Sequence, residues 1–477
     1  MRGVSNQFGG MEMVSRSARS VSRRDQFRLL LRRLLRRDTS SPQLLMLAAA
    51  TGLLTGLICC GFELGLDALS ASRLQWLQTW PPIVRWGLAF FSGAVMAGLA
   101  IWLAHRFAPE AGGSGIPEIE GALEGLRPVR WQRVLPVKFF GGLTALGSGM
   151  ILGREGPSVQ IGGNLGAMLA AVGKDSPDGR HALLAAGAAA GLTAAFNAPL
   201  AGILFVLEEL RAQFRYSFVS VKAVSVAVIC ATLVRHALLG DHPVFAVPEL
   251  TAPPLAHLAI FVLLGCVAGG CGAGFNWLVA QGQDAYLAWH RGRRPVLVAT
   301  VAVVGGLFGV LSLTSLGWHS GGMTQIPQWM ESELPFSLLL GLLLWRTLGT
   351  LLCFCSGIPG GIFAPLLALG TLLGLVWAQV LGSWFPNVAD SQLTLGLVGM
   401  SALFAASVRA PVTGILLVTE MSNNFTLILP MMLATLSATL VAQALGGKPL
   451  YSQILARTLR LAQPQQSNEK PATVENT

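Results

Sequence analysis

Four stretches of this chain, Trp86–Ala104, Ala182–Leu207, Leu258–Gln283 and Pro295–His319, run for 19 residues or more without an Asp, Glu, Lys or Arg. Each approaches or exceeds the roughly 20 residues that span a hydrocarbon core. Four such runs exclude a soluble fold and require an all-α, polytopic membrane protein, because backbone polar groups in lipid must be satisfied within the segment. Composition agrees: only 12% of residues are charged, where soluble domains carry about a quarter.

The formal net charge of +10 is unevenly placed. Residues 1–37 hold ten arginines against Glu12 and Asp25, so a short tail carries most of the excess. The basic balance therefore gives no reason to expect a nucleic-acid partner. Arg23–Arg37 reads RRDQFRLLLRRLLRR, a helix with one apolar and one basic face that would lie on an anionic membrane surface. Met1–Ser22 is polar and serine-rich, unlike a signal peptide. All seven cysteines lie in apolar runs, where cysteine behaves as a small hydrophobe. The seven histidines are scattered without ligand spacing. No metal, no cofactor and no catalytic constellation is expected, so the chain does not read as an enzyme.

Lys and Arg of short loops mark the cytoplasmic side. They cluster at Arg23–Arg37, Arg127–Lys138, Arg291–Arg294 and Lys448–Arg460, which places both termini inside. The segment Gly240–Pro254 is proline-rich, with two acids and no Lys or Arg, and suits an outside connection. Five regions follow: a basic cytoplasmic tail (1–41), a first transmembrane repeat (42–239), an external linker (240–256), a second transmembrane repeat (257–460) and a short polar cytoplasmic tail (461–477).

The repeats are visible in the residues. GAAAGLTAAFNAPLAGILFVLEEL from Gly187 aligns without a gap with GMSALFAASVRAPVTGILLVTEMS from Gly399. Ala198-Pro199, Gly202-Ile203-Leu204 and Glu208 recur as Ala410-Pro411, Gly414-Ile415-Leu416 and Glu420, whereas Glu209 meets Met421. Glu208 and Glu420 therefore read as a structural pair and Glu209 as the asymmetric, functional acid. An odd number of crossings per half makes the repeats inverted, a transporter plan with its site at broken helices near the midplane.

Three breaks stand out. Phe139–Leu152 is too short to cross before Gly153-Arg154-Glu155-Gly156-Pro157, and the 43 uncharged residues of Thr347–Ala389 are interrupted before Gly361-Ile362-Phe363-Ala364-Pro365. The third is Gly113-Ser114-Gly115-Ile116-Pro117. Glycine lets the chain turn, and proline follows where a first helical turn needs no N–H. Three helix starts aimed at one point would form a site for an anion. Dipoles also hold a small anion less firmly than a buried cation would, which permits release.

GSGIP, GREGP, GIFAP and the tyrosine of GKPLYS together resemble the CLC chloride channel and transporter family over about residues 40–460. AGGSGIPEIEGALE, RVLPVKFFGG, GREGPSVQIGGN and GGKPLYSQILARTL are similar to its bacterial proton/chloride exchangers in particular. The resemblance implies tilted and broken helices in two inverted repeats, a bacterial inner-membrane location and a homodimer with one pathway per subunit. It implies that chloride is held by the Ser114 and Tyr451 hydroxyls and the backbone N–H groups of Ile362 and Phe363. Glu155 would be a gate whose carboxylate competes with chloride and yields on protonation, since an intramembrane acid is functional by default. Glu209 would receive protons from the cytoplasmic side, an acid that channels of the family usually lack. Glu155 paired with Arg154 as a helix-terminal ion pair is the competing reading of that acid. Lys138, Glu118, Glu120 and Glu124 also match the family, as charges expected to pair structurally. The function expected is chloride/proton antiport; a passive chloride channel of the same fold is the alternative, and a fluoride or nitrate exchanger or a membrane scaffold fits the motifs less well. No nucleotide-binding module is expected after Arg460.

Overall fold

The computed structural model describes residues 41–466 apart from 212, 213, 215, 246, 249, 316 and 383–391. The amphipathic helix expected over Arg23–Arg37 and the polar tail from 467 lie outside the described residues.

Among the described residues there are seventeen α-helices, and they fall into two series of eight plus one. The first series is α1 (Pro42–Gln78), α2 (Pro82–Phe107), α3 (Ile116–Leu123), α4 (Trp131–Gly147), α5 (Glu155–Val172), α6 (Pro177–Phe196), α7 (Pro199–Glu208) and α8 (Phe218–Leu239). The second is α9 (Leu258–His290), α10 (Arg294–Leu311), α11 (Ile326–Glu331), α12 (Phe336–Phe354), α13 (Phe363–Gly382), α14 (Gln392–Val408), α15 (Pro411–Ser422) and α16 (Ile428–Ala444), after which comes α17 (Leu450–Gln466). Element for element the series repeat: α5 and α13 start 208 residues apart, α7 and α15 start 212 apart. Eight helices are long and apolar enough to cross a membrane, and the chain is a multi-pass membrane protein.

Close backbone packing through small residues holds each repeat together, as membrane helices lacking a hydrophobic drive between them require. A Cβ on Gly162 of α5 would lie 2.0 Å from the Gly187 carbonyl oxygen of α6, and one on Gly370 of α13 would lie 2.7 Å from the Gly399 carbonyl oxygen of α14. These glycines are repeat equivalents, so both halves use one contact.

The three expected breaks are present: α4 ends at Gly147 and α5 starts at Glu155, α12 ends at Phe354 and α13 starts at Phe363, and α3 starts at Ile116. A further break lies inside Ala182–Leu207, which reads in the sequence as one span. There α6 stops at Asn197 in the left-handed conformation (φ +52°), and α7 restarts at Pro199. In the second repeat Arg409 (φ +73°) and Pro411 do the same. Proline cannot continue the hydrogen-bond ladder, so α7 and α15, with 10 and 12 residues, reach only about 15–18 Å.

Candidate functional site

Backbone hydrogen bonds knit the three broken-helix loops into one unit. Gly153 N–H donates to the Gly361 carbonyl at 2.7 Å and Gly361 N–H donates back to Gly153 at 2.7 Å, an isolated antiparallel bridge between repeat-equivalent residues. Gly113 N–H donates to the Gly357 carbonyl (3.0 Å), and Gly360 N–H to the Gly113 carbonyl (3.1 Å). The starts of α3, α5 and α13 thus meet, and α3 follows Gly115 at φ +91°, a conformation only glycine adopts freely.

Buried cations fix the loops from behind. Lys138 on α4 is fully buried and donates to the carbonyls of Ala111 (3.0 Å) and Gly113 (2.7 Å). Its repeat equivalent, 208 residues on, is Arg346 on α12, which is also fully buried. Arg346 donates to the carbonyls of Gly317 (2.6 Å), His319 (3.2 Å) and Ser320 (2.9 Å), with its guanidinium 5.0 Å from the Trp329 ring centre. In each repeat a cation takes carbonyl oxygens, leaving the N–H ends of the neighbouring helices free to face an anion.

The structure brings the expected residues together. Ser114, Glu155, Ile362, Phe363 and Tyr451 are all buried, at 3% exposure or less. Ser114 abuts GREGP so closely that a Cβ on Gly156 would lie 2.5 Å from its Oγ. Glu155 Oε2 accepts from the Ala364 N–H at 3.4 Å, across from its own repeat. The Phe363 ring sits between Phe404 (4.5 Å) and Phe196 (5.1 Å), closing the site with aromatic surface. Tyr451, in the first turn of α17, lies within electrostatic reach of both Glu209 and Glu155. Asn276 of α9 sets that turn by donating to the carbonyls of Ser407 (2.9 Å) and Lys448 (2.9 Å), and Arg409 by donating to Gly447 (2.9 Å). Among the described residues neither the Ser114 Oγ nor the Tyr451 hydroxyl has a hydrogen-bond partner. Leaving a buried hydroxyl unpaired costs about 1–3 kcal/mol, so two beside one set of helix starts suit a ligand that accepts hydrogen bonds. The donors are neutral hydroxyls and amides, which fits chloride.

On the other flank, Glu209 ends α7, half-buried and within electrostatic reach of Glu120 and Glu208. Glu120 accepts from the Ser452 hydroxyl at 2.7 Å, so Glu209, Glu120, the Tyr451-Ser452 turn and Glu155 are linked pair by pair. Glu208 does different work: its carboxylate accepts from the N–H groups of Val412 (3.1 Å) and Thr413 (2.7 Å) and from the Thr413 hydroxyl (2.8 Å), capping α15. Glu420 returns the arrangement on α7, accepting from Leu200 (3.0 Å) and Ala201 (2.8 Å). Each short helix caps the other, so the two run antiparallel, as inverted repeats require.

Two further acids near α3 form ion pairs. Glu118 holds Arg127 in a two-pronged bridge (2.9 and 3.0 Å), and Glu110 takes Arg133 (2.6 Å) and Arg130 (3.1 Å). Arg154 does not pair with Glu155. It bridges Glu63 of α1 at 2.8 Å and donates to the Ala195 carbonyl at 3.3 Å. Sequence reasoning passed over Glu63, its second partner Arg235, and the carbonyl-bracing roles of Lys138 and Arg346. Two acids one turn apart in the apolar run of α1, Glu63 and Asp67, were the available signal. The seven cysteines are free thiols, and among the described residues no cluster of three metal-ligating side chains occurs.

A family model described as voltage gated chloride channel matches residues 93–443. The H(+)/Cl(-) exchange transporter ClcA of Yersinia pestis bv. Antiqua (strain Angola) is 49% identical over 454 residues, covering 94% of this chain and 95% of that protein. ClcA of Vibrio cholerae serotype O1 (strain M66-2) is 48% identical over 442 residues, 92% and 94% of the two chains. Among solved structures, a slow cyanobacterial Cl-/H+ antiporter superposes with a TM-score of 0.84 at 37% identity, over 88% of this chain and 98% of that one. The chain belongs to the voltage-gated chloride channel (CLC) family, whose members here are transporters rather than enzymes.

Proposed function

We propose, on the premise of that membership, that the chain is a secondary-active antiporter exchanging chloride for protons across a bacterial inner membrane, with both termini cytoplasmic. The observation that carries the reading is the meeting of three helix starts at two unpartnered buried hydroxyls, with the Glu155 carboxylate lying among them. Chloride rests against the Ser114 and Tyr451 hydroxyls and the N–H groups of Ile362 and Phe363. Glu155 is an anion held by the same dipoles, so carboxylate and chloride compete. Protonation removes the competitor, admits chloride and loads a proton on the gate. Glu209 supplies protons from the cytoplasmic side by way of Glu120 and Tyr451.

Because every one of these groups comes from one chain, a homodimer would hold one pathway per subunit. Proton movement driven by a chloride gradient in liposomes tests the function. Wild-type protein moves protons against their gradient, while Glu155→Ala passes chloride without moving protons. A wild-type reversal potential that ignores the pH gradient would make the protein a passive chloride channel.

A further inference from the structure

Behind the gate lies a knot of charge drawn from α1, α8 and the residue before α5, and tied to carbonyls of α6. Glu63 on α1 bridges Arg154, the residue before the gate, with one carboxylate oxygen and Arg235 on α8 with the other, both at 2.8 Å. The arginines are each pinned again: Arg154 donates to the Ala195 carbonyl (3.3 Å) and Arg235 to the Ala194 carbonyl (2.7 Å), both in the last turn of α6. Glu63 and Arg154 are largely shielded, with side-chain exposures of 14% and 19%, and Arg235 more so at 8%. Asp67, an exposed acid one turn further along α1, lies within electrostatic reach of Arg154 and Glu63. Both Arg154 and Glu63 act in turn on Glu155.

We propose that Glu63 is a positioning residue that sets how much positive charge the anion site feels from behind. Without Glu63, an unneutralised Arg154 beside the gate, backed by Arg235, would hold chloride too firmly for turnover. One carboxylate engaging both, with Asp67 at the rim, leaves the site to the weaker dipoles. The same bridge fixes Arg154 away from Glu155, so the gate carboxylate is free to leave on protonation.

The inference rests on chloride binding beside Glu155, and its test is separate from the test of proton coupling. Chloride dissociation constants are measured by calorimetry in a Glu155→Ala background, where no carboxylate competes. Adding Glu63→Gln removes one negative charge and tightens chloride by roughly three- to tenfold, the scale of one unit charge acting through partly wet protein. Arg235→Gln leaves the Glu63–Arg154 bridge and removes one positive charge, so it weakens chloride by a similar factor. Glu63→Asp keeps the charge and stays within about twofold of the background. Opposite shifts in the two charge variants support the proposal. Shifts in one direction, no shift in either, or Glu63→Asp behaving as Glu63→Gln would overturn it. If Glu63→Gln does not fold, the sign of the Arg235→Gln shift decides alone. Absence of chloride binding in the background itself would instead sink the site reading.

Discussion

At positions 208 residues apart the first repeat places Lys138 and Glu155 where the second places Arg346 and Phe363, and 212 apart Glu209 meets the fully buried Met421. What recurs is what builds an anion cradle: glycine–proline helix starts, interhelical glycine contacts, a buried cation on carbonyl oxygens, and the reciprocal caps of Glu208 and Glu420. What does not recur is acid chemistry. Glu155, Glu209 and the Glu63–Arg154–Arg235 knot all belong to the first repeat, and Phe363 and Met421 stand opposite the first two acids. Under the function proposed above, chloride handling is shared between the halves, whereas proton handling is confined to one.

Making the first repeat copy the second is the harshest trial of that division. Glu209→Met should reduce chloride-driven proton movement in liposomes to background while chloride flux continues; retained pumping would break the contrast. Next come the bridged glycines. A Cβ at Gly153 would lie 2.1 Å from Glu155 Oε2, the flexible end of a side chain, whereas one at Gly361 would lie 2.9 Å from the Gly156 nitrogen, which is backbone. Gly153→Ala should therefore expel the gate and remove most of the pH dependence of chloride flux. Gly361→Ala should instead lower the melting temperature in detergent and keep that dependence.

The recurring caps predict smaller, paired effects. Glu208→Ala and Glu420→Ala each leave helix N–H groups unpaired, at about 1–3 kcal/mol, read as a lower melting temperature. Glu208→Ala should cost more, because the Thr413 hydroxyl also loses its acceptor. Smallest is an acid effect at Glu110, in the 3-10 turn before α3. Burial pushes its carboxyl up, but its own backbone N–H and the Arg133 and Arg130 guanidiniums outweigh this and hold it below the usual carboxylate range. That contribution is full above the ordinary range and is lost as pH falls through the lowered value. With Arg130 and Arg133 54% and 40% exposed, it amounts to under about 1 kcal/mol. Glu110→Gln should flatten the acid limb of the melting curve; the loop at Gly317–Ser320, braced without an acid, has no such limb to lose.

Much of this architecture is legible in the sequence. The breaks at GSGIP, GREGP and GIFAP announce themselves through glycine and proline in apolar surroundings, and the gapless alignment separates Glu208 from Glu209. The break at Asn197–Pro199 was hidden because no charge interrupts the run and neighbouring alanines carry the helical pattern past it. The kinship of Lys138 and Arg346 was hidden by their different residue types. Arg154 shows the deeper limit: its neighbour in sequence is Glu155, but its partner in space is Glu63, 91 positions away, and only the packing of α1 against α5 reveals that choice.

The paired hydrogen bonds between Gly153 and Gly361 carry a mechanical consequence. They join equivalent residues, so the rung lies on the axis that relates the halves. Carriers that work by tilting one half against the other open a seam along such an axis. Here the seam is stitched at its centre by two amide bonds, in surroundings where each is worth about 4–6 kcal/mol against no partner. Under the proposed function, a swinging latch of one side chain, rather than a door between the halves, fits a seam stitched in this way.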